Sequence, residues 1–382
     1  VLRRFPLTPG GKVDRQKLPP PPTPAEMQKN FVPPRTETEA KLVEIWERML
    51  GIKPIGIRDN FFEIGGHSLL EARFVAEVEK SFGITLPVTT LYYTRTIEAL
   101  VKIIEDNKTS PRNSLWHRCH TQGTKPPLFA YGGSTDLADC LGPDQPLYWS
   151  EFHGTDGLPM PDTIEEMAAE YISQMRSIQP HGPYFLLGYS MGGLVIFEAA
   201  QQLAAIGEPV GLLVLVDPAP PANMVRIGKT DGGVDSRRFR LKDLGYRVRR
   251  RIAWSKRVLG QSFCEACLRH GYRLPPGLRL FYFDYKSQAV LSRYHARTYR
   301  GPFILFRRPD NRTAEQWRSL ASEDIELHES WVEHYEFLEQ PYVQTVAGIL
   351  RQRLAQARGK SLEGRARAEA QSAWHGDAHP ST

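Results

Sequence analysis

The sequence predicts a small all-α bundle followed by an α/β domain, a mainly parallel sheet covered by helices. Two textures and a break between them carry this reading. Over residues 35–107 apolar residues recur in about three stripes at helical spacing. From about residue 127, short apolar runs (PLFAYGG, PLYWSEFHG, YFLLGYS, VGLLVLVD) alternate with helical patterns such as TIEEMAAEYISQMRSI and LVIFEAAQQLAAIG. The polar stretch DNKTSPRNSLWHRCHTQGTKPP separates them, and 382 residues leave room for two or three domains.

In chain order, residues 1–18 read VLRRFPLTPGGKVDRQKL and open without a methionine. Residues 19–34 are too proline-rich for a helix or central strand, and an extended linker is expected there. In the bundle, Thr36 with Glu39 forms a capping-box pattern, Leu42, Ile45, Trp46 and Met49 make one apolar stripe, and Gly51 is the stop. A second helix is expected from about Ser68, with Leu70, Phe74, Val78 and Phe82 four apart and Gly83 at its end. TIEALVKIIE supplies a last stripe through Ile97, Leu100, Val101 and Ile104. Residues 108–126 read as a connector and 127–355 as the α/β domain, with a late strand in GPFILFRR and a closing helix through PYVQTVAGILRQRL. Residues 356–382 are expected to be a disordered tail, polar and short of large apolar residues from Arg358 onward.

Composition narrows the function classes. The chain is 41% hydrophobic and 24% charged, with a mean hydropathy of −0.40. No apolar run approaches the ~20 residues of a membrane span, and no charged n-region with an apolar h-region stands at the start of the sequence. The formal charge of +6 is concentrated: Ala222–Gly260 holds twelve Lys or Arg against three Asp or Glu. With basic residues on most faces and few aromatics to stack bases, that segment reads as a solvated mobile helical segment, with docking of an acidic partner as the alternative, rather than as a nucleic-acid surface. Cys264 and Cys267 form a lone C-x-x-C without a second pair or a nearby histidine cluster, so no metal is expected, and a reducing cytoplasm is.

Two serines are presented by glycines. LLGYSMGG holds Gly188, Ser190 and Gly192 in a G-x-S-x-G pattern between an apolar strand and a helix, the context of a nucleophile elbow. A serine hydroxyl needs a base, and the base needs an orienting carboxylate. Asp217, ending LLVLVD, and Asp310, after FILFRR, are the candidate acids. His334, in a loop before the last helix, is favoured as base over His328 in the strand-like IELHE. Oxyanion donors are expected from the backbone N–H of Met191 and from Gly132 or Gly133, with Gly133 the choice. Ser68, in DNFFEIGGHSLLEA, has no base beside it. On helix capping alone it would be an N-cap, but two preceding glycines allow close approach to the backbone. A helix N-terminus favours a phosphodiester, so Ser68 reads as an attachment point.

DNFFEIGGHSLLEA resembles the carrier-domain signature of nonribosomal peptide synthetases, whose GGHS serine receives 4′-phosphopantetheine. That implies attachment at Ser68 by a phosphopantetheinyl transferase, on a four-helix carrier bundle. FPLTPGGKVDRQKLP resembles the last core motif of an adenylation domain, with Lys12 as its lysine, so only the end of such a domain is expected here. PLFAYGG, GYSMGG, LVDPAP and EHYEFLEQPYVQ resemble the terminal thioesterase domain, an α/β-hydrolase fold with a helical lid, expected here over residues 218–290. The resemblance selects Asp217 over Asp310 and matches His334. Tyr131-Gly132 stands where the family has His-Gly or His-Pro, and Val332-Glu333 where it has Gly-Asp. The resemblance implies upstream adenylation and condensation modules and release of a peptidyl or acyl thioester by hydrolysis or cyclisation. The rival expectations are a free-standing serine esterase with an incidental helical domain and a non-catalytic acyl carrier.

Overall fold

A computed structural model describes residues 31–109, 116–221, 258–309, 313–322 and 325–376. Lys12, Asp310 and most of the basic segment lie outside these residues, as does most of the expected 19–34 linker.

The bundle has four helices: α1 (Glu37–Leu50), α2 (Ser68–Phe82), α3 (Thr90–Thr94) and α4 (Ile97–Thr109). The α1 capping box forms as its sequence requires: Glu39 N–H donates to Thr36 Oγ1 at 3.1 Å, and Thr36 N–H donates to Glu39 Oε2 at 3.2 Å. Gly51 and Gly83 end α1 and α2 with φ of 70° and 67°, where a side chain would be strained. The bundle core gathers around Trp46, whose ring lies 5.0 Å from Phe61 and 6.2 Å from Phe74, all three fully buried. Burying each such ring contributes on the order of 2–3 kcal/mol, which is why one apolar stripe per helix closes so small a unit.

Among the described residues, the second unit is an α/β-hydrolase sheet of seven strands in the order β1-β3-β2-β4-β5-β6-β7, antiparallel only between β1 and β3. The elements run β1 (Trp116–Cys119), β2 (Leu128–Tyr131), α5 (Thr135–Leu141), β3 (Leu147–Ser150), α6 (Ile164–Ile178), β4 (Tyr184–Tyr189), α7 (Met191–Ala205) and β5 (Val210–Val216). Two helices, α8 over residues 258–269 and α9 (Pro276–Leu291), follow where the lid is expected. β6 (Phe303–Arg307), α10 (Thr313–Ser319), β7 (Ile325–Glu329), a 3-10 turn (His334–Leu338) and α11 (Val343–Gly376) complete it. β4 is buried at every residue because helices cover both faces of the sheet. That burial explains its unbroken apolar run.

Three elements depart from the expectations. β1 lies inside the expected 108–126 connector: WHRC is only four residues and half polar, and it is held by pairing to β3. α3 has five residues, too few to show a helical period. α11 continues to Gly376, where a disordered tail is expected. Its Ala-, Arg-, Glu- and Gln-rich end favours helix through backbone propensity without needing an apolar face.

Candidate active site

The elbow follows from steric need. β4 ends at Tyr189, and Ser190 takes φ 56°, ψ −126° before α7 begins, a conformation that only tight surroundings impose on a serine. A Cβ on Gly188 would lie 2.5 Å from Gly192 O, and one on Gly192 would lie 2.3 Å from Tyr131 O. A Cβ on Gly193 would lie 2.6 Å from Pro218 Cβ. Three glycines are thus required for strand, helix and neighbouring loops to meet at one point. Ser190 N–H donates to Val216 O at 3.0 Å, which sets the serine beside the end of β5.

Asp217 follows β5 directly, itself at φ 39°, with its N–H bonded to Phe306 O at 2.7 Å. His334 begins the 3-10 turn. Its Nδ1 lies 2.6 Å from Asp217 Oδ2 and its Nε2 lies 2.9 Å from Ser190 Oγ. The carboxylate can only accept, so Nδ1 carries the proton and Nε2 is left to accept from the serine hydroxyl. The His334 side chain is 43% exposed and that of Asp217 is 21% exposed, so a substrate can reach the imidazole while the acid sits deeper.

Tyr189, the variable residue of G-x-S, supports this arrangement and was not marked by the motif. Its ring stacks on His334 at 5.0 Å and 17°, and its hydroxyl donates to His334 O at 2.9 Å. Burial, and then the negative charge of Asp217, push its phenol well above the ordinary range, so it remains a donor.

Of the two glycines after β2, Gly132 commits its N–H to Ser150 O at 2.8 Å. That leaves Gly133, where a Cβ would lie 2.7 Å from Trp149, as the candidate donor opposite Met191, the first residue of α7. His328 is engaged elsewhere: its Nε2 pairs with Glu326 Oε1 at 2.7 Å and its ring stacks on Phe306. Cys264 is buried and Cys267 half-buried, and no acidic, His and Cys cluster among the described residues suits a metal ion.

Ser68 is the first residue of α2, and His67 takes the N-cap place with φ −152°. Intrahelical bonds begin with Leu70 N–H to His67 O, so the N–H groups of Ser68 and Leu69 have no intrahelical acceptor. Gly65 turns at φ 106°, and a Cβ on Gly66 would lie 2.3 Å from the Phe61 ring. Gly66 is therefore a packing requirement of the bundle core. A covalent phosphodiester on the first residue of this 15-residue helix fits the positive end of the helix dipole.

The family model for the thioesterase domain matches residues 135–354, more than half of the chain. The chain belongs to the thioesterase domain family. The model for the phosphopantetheine attachment site matches residues 40–104, so this thioesterase carries its attachment domain in the same chain. Similar curated proteins include a dimodular nonribosomal peptide synthase of Bacillus subtilis, 36% identical over 58% of this chain and 10% of that protein. Malpibaldin synthetase of Mortierella alpina is 35% identical over 61% of this chain and 4% of that protein. The thioesterase chain thus spans a tenth or less of the length of these relatives. A solved four-domain nonribosomal peptide synthetase, bound to AMP and glycine, matches 92% of this chain and 28% of its own at 26% identity, with a TM-score of 0.48.

Proposed function

We propose that this thioesterase releases an acyl or peptidyl chain delivered as a thioester on its own attachment domain, at the end of a nonribosomal peptide assembly line. The observation that carries the reading is the hydrogen-bonded series Ser190–His334–Asp217 at a strained elbow. Ser68 is the attachment residue, modified by a phosphopantetheinyl transferase. When attached, the arm supplies the thiol that holds the acyl group as a thioester. Upstream adenylation and condensation modules supply that acyl group. The four free thiols, Cys119, Cys140, Cys264 and Cys267, suit a reducing cytoplasm.

His334 Nε2 takes the proton of Ser190 Oγ as the oxygen attacks the thioester carbonyl. Asp217 holds the imidazole in the required tautomer and stabilises the imidazolium. The N–H groups of Met191 and Gly133 face the carbonyl oxygen as it gains negative charge, a donor of this kind contributing about 3 kcal/mol. The C–S bond then breaks, and the departing sulfur receives the proton from His334. An acyl-Ser190 ester remains. Water, or an amine or hydroxyl of the acyl chain itself, loses a proton to His334 and attacks that ester, freeing Ser190 with an acid or a ring as product. The helices α8 and α9 stand between Asp217 and β6, where they limit water at the acyl group.

The test uses the full chain, a phosphopantetheinyl transferase and an acyl-CoA donor, with intact-mass readout. Wild type should gain the acyl-arm mass on Ser68 and lose the acyl group with time, and Ser190→Ala should keep it. Acyl loss from Ser190→Ala at the wild-type rate would refute the mechanism. Turnover of simple esters with no mass gain at Ser68 would favour a free-standing esterase. No labelling of Ser190 by a fluorophosphonate would favour a non-catalytic carrier.

A further inference from the structure

The bundle and the thioesterase share a contact whose chemistry is that of a built recognition surface. Its centre is the segment Val88–Arg95, around α3. Val88 N–H donates to Thr155 O at 2.9 Å, and Thr135 Oγ1 donates to Tyr93 O at 3.2 Å. Tyr93 leaves the bundle core and joins the thioesterase core, its ring 5.3 Å from Trp149 and 6.4 Å from Phe152. Beside it, the fully buried carboxylate of Glu151 accepts from Thr89 Oγ1 at 2.6 Å and contacts His117 Nε2 at 2.8 Å, with Thr90 Oγ1 at 3.1 Å sharing its one hydrogen between Glu151 and Pro87 O at 2.8 Å. Two of the three side chains around a buried thioesterase carboxylate therefore come from the bundle.

The lid helix α9 makes the second anchor. Arg279 is 2% exposed, its Nε donates to Leu274 O within the lid, and its Nη1 donates to Glu79 Oε1 at 2.7 Å and to Leu86 O at 3.0 Å. A buried guanidinium is costly to desolvate unless its donors are met, and here the bundle meets those of Nη1. The next residue, Leu280, packs on the bundle core.

We propose that Val88–Arg95 and Glu79 form the surface by which the thioesterase recognises its own attachment domain, and that Arg279 is the positioning residue that ties the docked domain to the lid. This rests on the release reaction proposed above. It adds that transfer from Ser68 and turnover of a small soluble thioester depend on different residues. Only the first requires the anchors, because a soluble thioester reaches Ser190 without docking.

The test compares wild type, Glu79→Arg and Thr90→Val as full chains. Acyl release from the Ser68 arm is followed by intact mass in a single turnover. Turnover of a soluble acyl thioester and hydrogen exchange over residues 88–95 and 147–157 are measured beside it. Breaking a buried charge pair, or removing a buried hydroxyl partner, should slow release from Ser68 at least about tenfold in Glu79→Arg and about threefold in Thr90→Val. Soluble-thioester kcat and KM should stay within about twofold, and exchange should rise over both stretches. Unchanged release together with unchanged exchange in both variants would overturn the proposal, as would a parallel fall in soluble-thioester turnover. Wild type that fails on the soluble thioester would instead count against the release reaction, and the exchange data would still decide the docking.

Discussion

Glu71 gives the sharpest quantitative expectation. It sits in the first turn of α2, 1% exposed, and its Oε1 has no hydrogen-bond partner among the described residues. Burial, and then the charge of Glu151 across the interface, push its pKa up to about 8 from an ordinary 4.5. The amides of Tyr92 and Leu91 and the charge of Arg95 pull the other way and do not prevail. Because the folded value lies above the unfolded one, the folded chain keeps a proton between pH 4.5 and 8 that the unfolded chain releases. The contribution of Glu71 to stability is then greatest below pH 4.5 and declines as pH rises, at about 1.4 kcal/mol per pH unit, until it levels off above pH 8. The whole window amounts to roughly 5 kcal/mol. Glu71→Gln keeps the shape and removes the charge, so its unfolding free energy should lack this decline. At pH 8 it should exceed wild type by about 3–5 kcal/mol. Urea unfolding read by hydrogen exchange in peptides from α1 and α2, at pH 5, 6.5 and 8, measures both slopes. Equal slopes in the two proteins would refute the buried, proton-holding state of Glu71.

Two further expectations concern the elbow. Asp217→Asn should lower kcat on a soluble thioester by about 10³–10⁴ with KM within a few-fold, because the imidazole loses the acceptor that fixes its tautomer. Steady-state kinetics beside an unchanged circular dichroism melt checks it. Gly192→Ala puts a methyl 2.3 Å from Tyr131 O, against main chain that cannot swing aside. It should cost about 2–4 kcal/mol and lower the thermal midpoint by at least about 5 °C, measured by calorimetry, with fluorophosphonate labelling of Ser190 slowed in parallel.

The fold class and the residues around Ser190 were legible because their signals are local or sit at strand ends. Thr36 with Glu39 is a three-residue signature, and the glycines of LLGYSMGG are dictated within one turn. His334 could be favoured from its place before α11, whereas place alone left Asp217 and Asp310 open and the family resemblance chose Asp217; the structure sets the His334 imidazole within hydrogen-bond range of both Asp217 and Ser190. What was illegible depends on tertiary neighbours. Tyr189 reads as one more apolar residue of a strand, and only the folded chain stacks it on His334. The five residues of α3 carry no period, since Thr90, Leu91, Tyr93 and Thr94 are buried by two different bodies. Glu71 and Arg279 look like surface charges in amphipathic helices, and only the folded chain shows that both are buried.

That meeting surface also has the composition of a contact that opens. The two apolar cores stay separate clusters, and Tyr93 is the only bundle residue counted in the thioesterase core among the described residues. Parting the units therefore uncovers the Tyr93 ring and Leu280 rather than a continuous apolar face. Meanwhile the Glu151 carboxylate and the Arg279 guanidinium exchange their bundle partners for water as the units separate, which lowers the cost of leaving. Under the function proposed above, the attachment domain visits upstream modules between releases and needs that balance. Apolar insertion and the Glu79–Arg279 pair hold it long enough for transfer, and hydration of the parted charges lets it go.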